Sequence, residues 1–314
     1  MSTLEPTPEG FRSGFVALIG RPNVGKSTLI NQFVGEKVAI TSPVAQTTRN
    51  RLRAILTINK AQLVFVDTPG IHKPHHLLGE RLVNTSKKVI GEVDSILLIF
   101  DGNEPPGSGD SYIVKLLKGQ NIPVTIVLNK WDLVTENQRT DRIKEYISFF
   151  NNTGWNFFCC SAINGKGCDG LIQKISSTLP VGPLLYPSGV TSDQPEEILM
   201  RELIREQVLL NTREEIPHSV AVSIDRIEEM TASKKKGVSK KRIAILATVL
   251  VERKSQKGIL IGKGGSMLKK IGKGARMQIQ KLLNGPVYLE LFVKVVPDWR
   301  SKPARLAELG FGEK

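Results

Sequence analysis

Gly20-Arg21-Pro22-Asn23-Val24-Gly25-Lys26-Ser27 fits the pattern G-x-x-x-x-G-K-[ST], a spacing that suits the capture of phosphate. Glycines let backbone N–H groups close around phosphate oxygens, and the N-terminus of a following helix adds positive potential. Lys26 then reaches β- and γ-phosphates, and Ser27 sets its hydroxyl on Mg²⁺. A chance match arises in about 1 in 100 chains of this length at average residue usage. The blander reading is a glycine-rich turn with a surface lysine. The apolar stretch before the motif and the helical pattern after it argue for a nucleoside triphosphate site.

Three further motifs narrow the chemistry. Asn129-Lys130-Trp131-Asp132 has the form N-K-x-D. The Asp132 carboxylate is suited to accept both the ring N–H and the exocyclic amine of guanine. Adenine offers neither in that geometry, so a buried carboxylate left unpaired penalises ATP. Asp67-Thr68-Pro69-Gly70 lies between the two motifs, where Asp67 holds Mg²⁺ through water and the Gly70 N–H meets the γ-phosphate. Ser161-Ala162 supplies the last turn, with the Ala162 N–H poised for the guanine carbonyl. Together these residues predict binding and hydrolysis of GTP to GDP.

Such a site needs its loops at one edge of a sheet. Strands are predicted at residues 15–19, 63–66, 124–128 and 155–160, each ending at a motif. Helices are predicted at 27–34, stopped by Gly35, and at 169–179. This is an α/β pattern with a mostly parallel sheet. A length of 314 residues predicts about two domains, and 40 % apolar content is enough for a core in each. No secretory signal is read at the N-terminus. Apolar runs such as 96–100 and 244–251 fall short of the roughly 20 residues of a spanning helix. Cys159 and Cys160 are adjacent on a strand and so point to opposite faces, which argues against a metal pair or disulfide. A reducing cytoplasm fits. His72, His75 and His76 follow the D-T-P-G motif with no cysteine near, and read as loop residues rather than ligands.

Charge divides unevenly. Residues 1–190 carry a net +5 and residues 191–314 a net +9. Between residues 234 and 281 stand 15 basic residues and one acid, Glu252. The pattern there predicts a helix at 196–212, strands at 219–227 and 242–251 joined by a lysine-rich loop at 233–241, a helix at 266–283 and a strand at 287–295. A G-x-x-G loop, Gly262-Lys263-Gly264-Gly265, lies between two helices. The order α-β-β-α-α-β matches an α+β, type II K homology (KH) RNA-binding domain. There Gly262, Gly264 and Gly265 let backbone approach the sugar-phosphate chain and Lys263 supplies charge. An anionic membrane would answer the same electrostatics, and DNA is not expected. Composition sets the domains at 1–180, a Pro/Gly-rich linker at 181–195, and 196–314.

From about residue 15 to 310 the chain resembles the Era-type GTPases. Besides the nucleotide motifs, the likeness rests on Gln46-Thr47-Thr48-Arg49, Pro217-His218-Ser219-Val220 and Leu289-Glu290-Leu291-Phe292-Val293-Lys294-Val295. The resemblance implies a cytoplasmic GTP-hydrolysing switch acting in small (30S) ribosomal subunit biogenesis. It further implies binding to the 3′ region of 16S rRNA and peripheral contact with the membrane. Other readings are a GTPase acting on another RNA, as in tRNA modification, or at the membrane surface, and a passive RNA-binding scaffold. On chemistry alone either Thr47 or Thr48 suits Mg²⁺, and the resemblance favours Thr48, on a switch loop spanning 36–51. The implied catalytic set is Lys26, Thr48, Asp67 and Gly70. Ile71 stands where most small GTPases carry the glutamine that orients water. In related GTPases an asparagine at the place of Asn23 holds K⁺; its other reading is support of the loop turn.

Overall fold

The computed structural model describes residues 7–44, 47–71, 77–150, 153–231 and 241–311. The expectations resting on Gln46, on His72, His75 and His76, and on nearly all of the loop at 233–241 lie outside the described residues. The chain divides into two compact units, with the break between Gln194 and Pro195.

The first unit runs β1 (Arg12–Gly20), α1 (Lys26–Val34), β2 (Leu52–Ile58), β3 (Ala61–Asp67), α2 (Leu77–Ile90) and β4 (Ser95–Asp101). It continues through α3 (Ser108–Leu117), β5 (Val124–Asn129), α4 (Glu136–Phe149), β6 (Asn156–Cys159) and α5 (Cys168–Thr178). Six strands form one sheet in the order β2-β3-β1-β4-β5-β6, parallel throughout except for β2 against β3. Every residue of β4 is buried, and its apolar run from Ile96 to Phe100 is what a strand covered on both faces requires. Alternate residues of β1 feed two cores. Val16 and Leu18 pack with Leu29 of α1 and Leu171 of α5; Ala17 and Ile19 pack with Ile90 of α2, Ile113 of α3 and Tyr146 of α4. Cys160 joins the first core and Cys159 packs against the second, as the two-residue period requires. Because β1, β3, β5 and β6 are parallel, the loops after them open on the same edge of the sheet.

The second unit holds α6 (Glu196–Asn211), α7 (Ile216–Ser219), β7 (Ala221–Thr231), β8 (Lys241–Val251), α8 (Lys254–Ile261), α9 (Ser266–Leu282), β9 (Val287–Val295) and α10 (Pro303–Glu308). Strand order is β7-β8-β9, with β7 antiparallel and β9 parallel to β8. Helix α6 packs on α9 and β7, and α9 packs on β9. The strand expected from residue 219 starts later. Pro217 sets the first turn of α7, and the Ser219 hydroxyl donates to the Glu215 carbonyl at 2.9 Å, so extended chain begins only at Ala221. Trp299, fully buried, ties the C-terminal segment back by donating from Nε1 to the Ser219 carbonyl at 2.8 Å. No helix among the described residues is long and apolar enough to cross a membrane.

Candidate nucleotide site and nucleic-acid groove

The loop after β1 turns through two left-handed residues, Asn23 (φ 64°) and Gly25 (φ 95°). Gly25 cannot carry a side chain there, because a Cβ would lie 2.2 Å from Asn129 Nδ2. That contact reflects the clamp that holds the site together. Asn129 donates from Nδ2 to the Val24 carbonyl at 2.8 Å and accepts the Ala162 N–H on Oδ1 at 2.9 Å. One buried amide at the end of β5 thus joins the loops after β1 and β6. The Ala162 N–H expected for the guanine carbonyl is therefore already committed, and a base can use it only by sharing it with Asn129.

Lys26 is buried at the start of α1, with its ammonium donating to the carbonyls of Gly20 (3.2 Å) and Arg21 (2.8 Å). Burial pushes its pKa down to about 8, against the opposing charge of Asp67. Around it, Ser27 Oγ and Thr48 Oγ1 lie 2.9 Å apart, and both donate to Asp67 Oδ2, at 2.7 and 2.9 Å. Asp67 is fully buried, and its other oxygen, Oδ1, has no hydrogen-bond partner among the described residues. Burial raises the Asp67 pKa, opposed by the Ser27 hydrogen bond and the Lys26 charge. Three oxygens from β3, α1 and the loop before β2 thus converge on one point.

The remaining predicted residues divide between site and scaffold. Lys130 takes a left-handed φ of 59° and pairs its ammonium with Asp101 Oδ2 at 2.6 Å, which fixes its side chain beside β4. The Trp131 N–H donates to the Cys160 carbonyl at 3.1 Å. Asp132 is exposed, not buried as the motif leads one to expect; three residues past the end of β5, it has left the sheet. Arg21 points away from the phosphate loop to the buried Asp110 of α3, at 2.7 Å. The Thr68 hydroxyl donates to the Leu18 carbonyl, the Pro69 carbonyl accepts from Ser86, and Pro22 backs onto Gly70. Ile71 is 2 % exposed in the core, and its N–H donates to the Gly20 carbonyl at 3.2 Å, so it presents no polar group to a substrate. Asp101 and Asp110 escaped sequence reasoning, since only strand order puts them beside Lys130 and Arg21.

In the second unit, Gly262, Gly264 and Gly265 all have positive φ (71°, 58° and 78°), and the last two have open space where a Cβ would stand. Backbone is therefore presented bare between α8 and α9, with Lys263 exposed beside it. Gly265 opens a groove of about 440 Å³ between α9 and β9, lined by Leu268, Lys269, Lys273, Arg276 and Leu291 among others. The three basic residues recur at helical spacing, a signal visible in the sequence once the helix face is known.

Comparison with known proteins agrees with this division. A family model described as 50S ribosome-binding GTPase matches residues 15–130, and one described as KH domain matches residues 215–300. GTPase Era of Crocosphaera subtropica is 53 % identical over 312 residues, covering 99 % of this chain and 96 % of its own. The chain belongs to the Era family of GTPases. GTPase Era of Rippkaea orientalis is similar at 51 % identity, with the same coverage. A crystal structure of Era in complex with MgGDPNP and nucleotides 1506–1542 of 16S ribosomal RNA matches with TM-score 0.90 and 38 % identity, over 96 % of this chain and 100 % of that one. A tyrosine-to-alanine variant of Aquifex aeolicus Era bound to GDP·AlF4⁻ matches at the same TM-score, identity and coverage.

Proposed function

We propose that this chain is a Mg²⁺-dependent, GTP-hydrolysing switch that grips the 3′ region of 16S rRNA during small (30S) ribosomal subunit biogenesis. The observation carrying this reading is the convergence of Ser27, Thr48 and Asp67 beside Lys26. Two hydroxyls and a buried carboxylate with a spare oxygen are the donors that a hard divalent cation takes, directly or through water. Bound there, Mg²⁺ would neutralise charge on the β- and γ-phosphate oxygens. Lys26 offers its ammonium to the same oxygens, Gly70 its N–H to the γ-phosphate, and Thr48 ties the loop at 36–51 to the presence of that phosphate. Lys130, Trp131 and Asp132 hold the base, with Asp132 closing over it from the surface. Ile71 leaves orientation of the attacking water to backbone groups, and Asn23, at an exposed left-handed turn, would hold K⁺, whose charge would stabilise the transition state.

The basic groove beside Gly262 to Gly265 is the RNA site in this reading, and the likeness to Era solved with MgGDPNP and a 16S rRNA fragment supports it. We place the protein in the cytoplasm, with peripheral contact to anionic membrane through the same basic surface. Phosphate release from GTP should require Mg²⁺ and run faster in K⁺ than in Na⁺. A single-stranded 16S 3′-end oligonucleotide should bind more tightly than a scrambled one, a tRNA or anionic vesicles. Absence of hydrolysis would leave a passive scaffold, and preference for tRNA or vesicles would overturn the ribosomal reading.

A further inference from the structure

The segment expected as a linker, 181–195, is packed for most of its length along the first unit. The Ser13 N–H donates to the Pro180 carbonyl at 3.1 Å, and the Gly182 N–H to the Phe11 carbonyl at 3.0 Å. Fully buried Gln62 accepts the N–H groups of Leu185 and Tyr186 at 2.8 and 2.9 Å and donates to the Tyr186 carbonyl at 2.9 Å. The chain then runs antiparallel to β2, the outermost strand. The Ile55 N–H donates to the Thr191 carbonyl at 2.9 Å, Ser192 Oγ to the Arg53 carbonyl at 3.2 Å, and Gln194 Nε2 to the Arg51 carbonyl at 3.0 Å. Arg53 pairs with Asp193 at 3.1 Å.

These contacts fall on the frame of the loop that carries Thr48. Its first turn is held from inside by Asn31, which accepts the Val38 and Ala39 N–H groups at 3.0 and 2.9 Å. The Thr191 hydroxyl adds a contact to Glu36 at 3.2 Å. Its far end, Arg51, is held by Gln194. Between these anchors Thr48 contacts Ser27 and Asp67, at 2.9 Å each. Gln194 is followed directly by Pro195, the residue capping α6 of the second unit. The last residue of the strap thus touches the loop while the next one starts the RNA-binding unit.

We propose that Thr191 and Gln194 are positioning residues for GTP hydrolysis, holding the 36–51 loop so that Thr48 stays over the metal point, and that displacement of the strap from its C-terminal end releases that loop. The proposal rests on the reading of Thr48 as the γ-phosphate-sensing residue. Gln194→Ala removes one neutral hydrogen bond and should slow single-turnover hydrolysis about fivefold, with a similar loss of GDPNP affinity. GDP affinity and thermal stability should stay unchanged, since GDP does not engage Thr48; a merely structural role would move all four. Adding Thr191→Val should deepen the loss. Tyr186→Phe, which loses only the Asp193 and Arg53 contacts of its hydroxyl, should hydrolyse at the wild-type rate. Placed on a Thr48→Val background, Gln194→Ala should cost nothing more, because the two act through one step. Full activity of Gln194→Ala beside an impaired Thr48→Val would overturn the strap proposal alone. Full activity of Thr48→Val would overturn the reading beneath it.

Discussion

Lys26 is a cation that folding has moved out of water, with two carbonyls rather than a carboxylate as hydrogen-bond partners. Its pKa near 8 lies well below that of a free lysine, while phosphate oxygens favour the ammonium form. Nucleotide binding therefore takes up a proton once the free protein has lost it. GTP affinity should be flat below about pH 8 and fall by up to tenfold per pH unit above it, the limit for one linked proton. Titration calorimetry in buffers of different ionisation enthalpy would count that proton; a flat profile to pH 9.5 would contradict the assignment. Asp132 poses the opposite case. Being exposed, it carries little desolvation cost until a base covers it, so rejection of ATP comes from the covered state. Asp132→Asn should weaken GTP binding by roughly 100-fold and favour xanthosine triphosphate, as expected when two hydrogen bonds to a site-defining group are lost. Competition between fluorescent nucleotides checks this, and unchanged GTP affinity would remove Asp132 from the site.

At the scale of elements, the strands ending at motifs were legible because each is a short apolar run broken by glycine or polar residues. Helix α4 was not, since among its side chains only Tyr146 is buried and its apolar period is faint. The clamp made by Asn129 was invisible for a different reason. It joins residues 105 positions apart through strand order, which spacing along the chain does not encode. The G-x-x-G loop was readable as a motif, whereas its partners Lys269, Lys273 and Arg276 needed the facing strand β9 to define a groove. Gly264→Asp should place a negative, β-carbon-bearing residue at a φ of 58° and repel RNA phosphates. RNA affinity should fall steeply while RNA-independent GTP hydrolysis holds. Lys273→Ala should weaken binding mildly and reduce the salt slope by about 0.7, the value for one single-strand contact. Isotherms at several salt concentrations decide between them, and full RNA affinity in Gly264→Asp would move the RNA elsewhere.

At the scale of the whole molecule, composition placed a boundary near residue 180, where prolines and glycines cluster, whereas the compact first unit closes only at Gln194. Local composition records how freely a segment bends, and carries no record of the surface it comes to lie on. That surface is the outer strand of the sheet, β2. Without residues 181–194 the Ile55 N–H and the carbonyls of Arg51 and Arg53 lose these partners, and the Gln62 amide keeps only its bond to the Thr57 hydroxyl. A bare strand of this kind is a template on which a second polypeptide adds itself. A fragment of residues 1–180 should therefore self-associate, and one of residues 1–194 should sediment as a monomer of comparable thermal stability to the intact chain. Equal monomeric behaviour of both fragments would show that the edge is protected by other means. In that light the same fourteen residues serve as a guard against aggregation, most needed while the first unit has folded and the second is still being synthesised.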